Sequence, residues 1–95
     1  MCQETIEILK GYTLCVCGFH TEERMIMKGM IEFWGGNFCE FVDSRSTTFV
    51  ISDNPLSYRV CTAKKYGIPV ITSQWLFDSI AEHRILSINK YILQY

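Results

Sequence analysis

The sequence predicts a small α/β domain built on a parallel sheet with helices on both faces. Two observations carry that reading. Short runs of consecutive apolar residues alternate with stretches whose apolar residues recur at helical spacing, and a wholly apolar run is what a strand buried on both faces requires. No Ser-, Pro- or Gly-rich linker interrupts the series, so the 95 residues read as one domain spanning positions 1–95. The predicted order is β-α-β-β-α-β-α, with right-handed crossovers between parallel strands.

Leu14-Cys15-Val16-Cys17, ending at Gly18, supplies the first strand. Thr21 offers an N-cap to the helix that follows, and Glu22 and Glu23 suit its positive end. Met27, Met30, Ile31 and Trp34 then form an apolar helical stripe. Gly29 lies inside that helix at a cost of about 1 kcal/mol against Ala, which marks it for a close helix contact. Gly35-Gly36 ends the helix by supplying a left-handed cap and a tight turn.

Phe38-Cys39-Glu40-Phe41 reads as the second strand, a polar loop follows at Asp43-Ser44-Arg45-Ser46-Thr47, and Phe49-Val50-Ile51 is the third strand. Asn54-Pro55 fits an N-cap with proline at the first helical position, with Ser57 as the alternative cap, and this helix ends near Tyr66-Gly67. Pro69-Val70-Ile71 forms the fourth strand. Thr72 or Ser73 caps a last helix with Leu76, Phe77, Ile80 and Ala81 on one side.

Composition excludes several functions. A hydrophobic fraction of 48% with 20% charged residues belongs to a folded chain, not a disordered one. No apolar run nears the ~20 residues of a membrane span, and Met1-Cys2-Gln3-Glu4 begins no secretory signal, so no membrane partner is expected. The net charge of −1 argues against non-specific DNA binding, which depends on neutralising phosphates. Cysteines at 2, 15, 17, 39 and 61 include no Cys-x-x-Cys pair. Cys15 and Cys17 point to one face of a strand, and zinc held by them with His20 or His83 is weighed against buried free thiols in a reducing compartment. The thiol reading is preferred, and no metal or other cofactor is expected.

Enzyme chemistry would sit at the carboxyl ends of the strands. Gly18-Phe19-His20-Thr21-Glu22-Glu23 has neither the spaced glycines of a dinucleotide site nor a P-loop lysine, and a GxSxG elbow is missing. Asp53 stands where bacterial response-regulator receivers carry their phosphoacceptor, but Cys17-Gly18 replaces the acidic pair such chemistry needs, so Asp53 is read as a turn or cap residue. Cys17 activated by His20 as a nucleophile is weaker than a packed thiol. No catalytic residues are assigned.

Four segments in this order resemble the BRCT family: the strand ending at Gly18-Phe19, the helix closed by Gly35-Gly36, Thr48-Phe49-Val50-Ile51, and Tyr66 through Ile80 with Thr72-Ser73-Gln74-Trp75 at its centre. The resemblance runs from about Ile8 to Tyr91, which it marks as the core of the domain. It implies sheet order 2-1-3-4, with the first and third helices on one face and the second alone on the other. It also implies that Trp75 and Gly36 serve the fold. The wording of the last segment looks most like BRCT repeats of the checkpoint scaffold that binds topoisomerase II and replication-initiation proteins. The implied function is a non-catalytic, nuclear protein-interaction module of the DNA-damage and replication machinery. Its partner would be a phosphorylated or unmodified protein of that machinery, or another BRCT domain.

Phosphopeptide-binding members of the family use a hydroxyl residue ending the first strand, the next backbone N–H, and a basic residue early in the second helix. By that resemblance, Cys17, Gly18, Ser57 and Arg59 form the candidate phosphate site. Arg59 suits paired charge-assisted bonds to phosphate. Cys17 departs from the pattern because a thiol is a weak donor. If the pocket is silent, Ser57 is a helix cap, Arg59 a solvated charge and Cys17 a core thiol. DNA-end or 5′-phosphate binding, and a targeting appendage of a DNA repair enzyme, are the alternatives.

Overall fold

Consecutive apolar residues can form a strand only where both faces are covered, and the computed structural model, which describes residues 7–93, covers both. The elements are β1 (Thr13–Val16), α1 (Thr21–Phe33), β2 (Asn37–Cys39), β3 (Phe49–Ile51), α2 (Tyr58–Lys65), β4 (Val70–Ile71) and α3 (Ser73–Glu82). All three strand pairings are parallel and the sheet order is β2-β1-β3-β4, as the family resemblance implied. Cys15 of β1 stands beside Cys39 of β2 and Val50 of β3.

Alternation along the strands separates two cores. Leu14, Val16, Ile51 and Ile71 pack with Met27 and Ile31 of α1 and with Trp75 and Leu76 of α3. Cys15, Cys17, Val50 and Val70 face the other way, against Val60 and Ala63 of α2. Trp75 has no exposed surface, and its indole N–H donates to the Leu86 carbonyl at 2.8 Å, so burial leaves no donor unpaired. Phe49 meets the indole edge-on at 5.6 Å.

The two glycines after α1 do different work. Gly35 takes a φ of +86°, the left-handed turn that stops the helix. Gly36 lies so close to Ile31 and Leu9 that a Cβ would stand 2.9 and 3.0 Å from their side chains. Gly29 has no such neighbour, because its side of α1 faces solvent, and the expected close helix contact is absent there.

Several local expectations are corrected. His20, not Thr21, is the N-cap of α1, and its N–H donates to Glu23 Oε1 at 3.4 Å. Asn54 heads a turn rather than a helix, its Oδ1 accepting the Leu56 N–H at 2.9 Å, and Ser57 takes the cap position of α2. The second strand stops at Cys39, leaving Glu40 and Phe41 in the loop. Phe77 and Ala81 are exposed, since α3 buries Trp75, Leu76 and Ser79 instead. Thr72 is the N-cap of α3 but its side chain makes no capping bond. Asp53 does that work from the end of β3, accepting the Ser73 N–H at 2.9 Å and the Ser73 hydroxyl at 2.7 Å.

Residues after α3 return along β4. The Thr72 N–H donates to Tyr91 O at 2.8 Å and the Leu93 N–H to Val70 O at 2.9 Å, with an antiparallel bridge between Ile71 and Ile92. This strap covers the edge of β4. It is tied to α3 where the Tyr91 hydroxyl donates to Asp78 Oδ2 at 2.7 Å, while Gln74 donates to Oδ1 at 2.7 Å.

Cys15 and Cys17 are buried, Cys39 is half-buried and Cys61 is exposed on α2, so Cys61 corrects the expectation that all the thiols are interior. Cys2, like the N-terminal residues 1–4, lies outside the described residues. Burial, reinforced by the neighbouring Cys39 and Cys17, pushes the Cys15 thiol up to about 12. Alkylation of the native chain at about pH 8 is therefore expected to modify Cys61 readily, and Cys15 and Cys17 only after denaturation. Peptide mass mapping checks this, and early modification of Cys15 would show that β1 opens readily.

The strap carries a pH dependence with a defined sign. Hydrogen bonds from Gln74 and Tyr91 hold the Asp78 carboxyl below its ordinary value, and the bond to Asp78 holds the Tyr91 phenol above its own. The fold thus favours carboxylate and neutral phenol together. Their contribution is complete between about pH 3.9 and 10, fades as pH falls through the depressed Asp78 value, and fades as pH rises through the raised Tyr91 value. Tyr91→Phe is expected to lower Tm at neutral pH, with the difference from wild type shrinking below about pH 3.9. A Tm difference unchanged through the acid range would refute this assignment.

Candidate functional site

The carboxyl ends of β1 and β3 meet the start of α2 at one corner of the domain. The Cys17 N–H donates to the Ile51 carbonyl at 3.0 Å, extending the ladder one residue past β1. That pairing sends the Cys17 side chain toward α2, where the residue is 2% exposed among Val60 and Ala63. The thiol therefore presents almost no surface to a ligand.

Gly18 is exposed and turns the chain at a φ of +80°. A Cβ there would stand 2.8 Å from Ser52 Oγ, 3.1 Å from Asn54 Cβ and 3.6 Å from Ser57 Cβ. Only a residue without a side chain permits this conformation and this approach together. The facing loop is held by its own bonds. Buried Ser52 accepts the Asn54 N–H at 3.1 Å, and Asn54 O accepts the Ser57 N–H at 3.2 Å. Ser57 stands at the N-cap of α2 with extended backbone, and its hydroxyl makes no capping bond. The positive end of the helix dipole is added at the same place.

Arg59 lies two residues into the same segment and is half-buried. Its guanidinium stacks over the Phe41 ring, 5.2 Å from the centroid, in a cation–π contact. The ion pairs among the described residues are Arg24–Glu40 and Arg84–Glu82, and Arg59 belongs to neither. Phe41, Val42, Tyr58, Arg59 and Thr62 line a cavity of about 200 Å³. Gly18 and Ser57 are thus brought together, Arg59 stands on the same helix turned toward the β2–β3 loop, and Cys17 is packed behind them.

Phe41, Ser52 and Asn54 are additions that the sequence did not single out. An aromatic residue just past a strand was the available signal for Phe41, but its apolar run counted it into β2. Asn54 was read only as a helix cap and Ser52 carried no role of its own, because their place beside the site rests on the close approach of Gly18. The sheet separates His83 from the strand cysteines: Cys15 and Cys17 face α2, whereas His83 meets Trp34 edge-on at 5.6 Å on the other side. Among the described residues no three His, Cys, Asp or Glu side chains group to hold a metal, and no helix is long and apolar enough to cross a membrane.

The family model of the BRCA1 C Terminus (BRCT) domain matches residues 4–80. The DNA repair protein REV1 of Arabidopsis thaliana is 31% identical over 88 residues, which is 90% of this chain and 8% of that protein. PAX-interacting protein 1 of Bos taurus is 28% identical over 80 residues, 83% of this chain and 8% of that one. The chain therefore spans about 8% of the length of these curated relatives. The solution structure of the BRCT domain from human DNA repair protein REV1 superposes with a TM-score of 0.74 at 26% identity, over 94% of this chain and 90% of that one. The crystal structure of Rad4 BRCT1,2 in complex with a Crb2 phosphopeptide superposes with a TM-score of 0.86 at 23% identity, over 93% of this chain and 48% of that one. With the family model spanning most of the sequence and the sheet order, the buried tryptophan and the solved neighbours in agreement, the chain belongs to the BRCT family.

Proposed function

We propose that this domain is a non-catalytic, nuclear protein-interaction module of a DNA-damage-response or replication-checkpoint protein, and that it recognises phosphorylated segments of its partners. The observation that carries the reading is the meeting of the exposed Gly18 turn with Ser57 at the start of α2, two residues before Arg59, which is in neither ion pair among the described residues. An anion seated there gains backbone N–H groups, a hydroxyl and the helix terminus, and Arg59 adds charge-assisted bonds by swinging from Phe41. Support also comes from the relatives, which include a DNA repair protein, and from a structural neighbour seen with a phosphopeptide.

Cys17 sets the strength. With its thiol packed inward, the anion loses the hydroxyl that other members supply, a bond of about 1.5–3 kcal/mol to a charged group. Affinity for an isolated phosphate is correspondingly modest, and the rest of the peptide must contribute.

The test is titration calorimetry with a peptide retained from a phosphopeptide array, beside its unphosphorylated form. The phosphorylated peptide is expected to bind more tightly, and Arg59→Ala to weaken it about ten- to hundredfold while Tm changes little. Equal binding of both forms by wild type and Arg59→Ala would refute the phosphate reading and leave a phosphate-independent scaffold. A 5′-phosphorylated DNA duplex at physiological salt, binding more tightly than any peptide, would favour the DNA-end alternative.

A further inference from the structure

Two of the free cysteines are brought together by the sheet although they lie far apart in sequence. Cys15 of β1 and Cys39 of β2 are register partners on neighbouring parallel strands. Both lie on the α2 side, Cys15 within the core there and Cys39 packed against it. Paired strands run about 4.8 Å apart, inside the range of about 4.4–6.8 Å that separates the Cα atoms of a disulfide. Cys17, two residues further along the same face, has no counterpart on β2, because β2 ends at Cys39. Cys61 is exposed on α2 and outside this core.

Access to the two sulfurs is unequal. Cys15 has no exposed surface, whereas Cys39 is half-buried and lines a cavity of about 460 Å³ beside the β2–β3 loop. The Cys39 sulfur stands 3.7 Å from Thr47 Oγ1 at that wall. A reagent from solvent therefore meets Cys39 first, and Cys15 is reached by a sulfur already inside the fold.

We propose that Cys39 and Cys15 form a redox modification site: a small-molecule disulfide such as glutathione disulfide reacts at Cys39, and the site then closes to a Cys15–Cys39 bond that fastens β2 to β1. The proposal is independent of the anion site. In the first step the Cys39 thiolate attacks one sulfur of the oxidant, whose S–S bond breaks and releases one glutathione thiolate. In the second, the Cys15 thiolate attacks the Cys39 sulfur, and the bond from Cys39 to glutathione breaks as the protein disulfide forms. The protons of the two protein thiols end on the two glutathione thiols, and the protein loses two electrons to the oxidant. Burial, with Cys39 and Cys17 nearby, holds the Cys15 thiol up at about 12, so closure is the slower step. The consequence is local. β2 is three residues long and has β1 as its one neighbour in the sheet, so its few hydrogen bonds are among those most easily opened. A covalent tie holds this edge and the start of the loop that carries Phe41, and ambient thiols can undo it, as suits a transient disulfide in a reducing compartment.

The experiment incubates the native 95-residue chain with glutathione disulfide at about pH 8, quenches with acid, and maps the cysteines by peptide mass spectrometry. A Cys15–Cys39 linkage is expected to accumulate within the monomer and to disappear on adding dithiothreitol. Cys17→Ser is expected to form it equally, which also separates the two cysteines of β1 in the map. Cys39→Ser, shown folded by circular dichroism, is expected to leave Cys15 reduced. Closure is expected to raise Tm by about 5–10 °C and to slow amide exchange of β2. Cys39 stopping at the mixed disulfide, Cys39 staying reduced, or Cys15 pairing with Cys17 would each overturn the proposal. So would a Cys15–Cys39 bond that formed without raising Tm, because β2 would then gain no hold from it.

Discussion

Trp75 is enclosed on every side, and a fully buried indole N–H without an acceptor would cost more than many single contacts contribute. The acceptor is the carbonyl of Leu86, in the segment after α3. That one bond obliges the chain to fold back once α3 ends. His83 makes the reversal in a left-handed conformation, and the Arg84 N–H closes on Ser79 O at 3.1 Å. Once residues 84–93 are anchored, the remaining ties become available to them, Tyr91 to Asp78 on α3 and Leu93 to Val70 on β4. A sheet whose last strand is two residues long could not protect its own edge, and the strap supplies the missing row of bonds.

The corner where Gly18 meets the start of α2 is a consequence of the same economy. With strands of two to four residues, the chain leaves the strand direction within a residue or two of each strand's carboxyl end. The turn after β1 and the turn after β3 are neighbours because β1 and β3 are paired, so Gly18 must pass close to Ser52, Asn54 and Ser57. The glycine is needed for that passage whatever the domain binds. Its exposed backbone and the start of α2 are set side by side by the packing alone, and the proposed anion site requires nothing further of the fold.

Net charge says little about such a site. At −1 overall the chain has no general attraction for anions, and a single guanidinium held by an aromatic ring provides a local one. The Phe41 contact limits the wandering of the long Arg59 side chain, which on the proposed reading lowers the entropy lost when an anion binds. The inward thiol of Cys17 works in the opposite sense on the same reading, because it leaves one bond to the anion unmade.

Periodicity and punctuation were enough to read the order of elements, the parallel strands and the stop at Gly35-Gly36, because these depend on the conformation of a few consecutive residues. The resemblance, not the residues' pattern alone, supplied the sheet order and the placement of Ser57 and Arg59. What sequence missed is long-range. Thr72 looked like a sufficient cap, yet Asp53, twenty residues earlier, satisfies the start of α3, because β3 and β4 end side by side. Phe77 fitted an apolar stripe, but the sheet lies nearer Leu76 and Ser79. Phe41 looked like a strand residue until the chain left the sheet at Cys39 and its ring came beneath Arg59. A sequence pattern reports which way neighbouring side chains point along one element, whereas partners across elements are chosen by how those elements pack, and that is decided only by the tertiary structure.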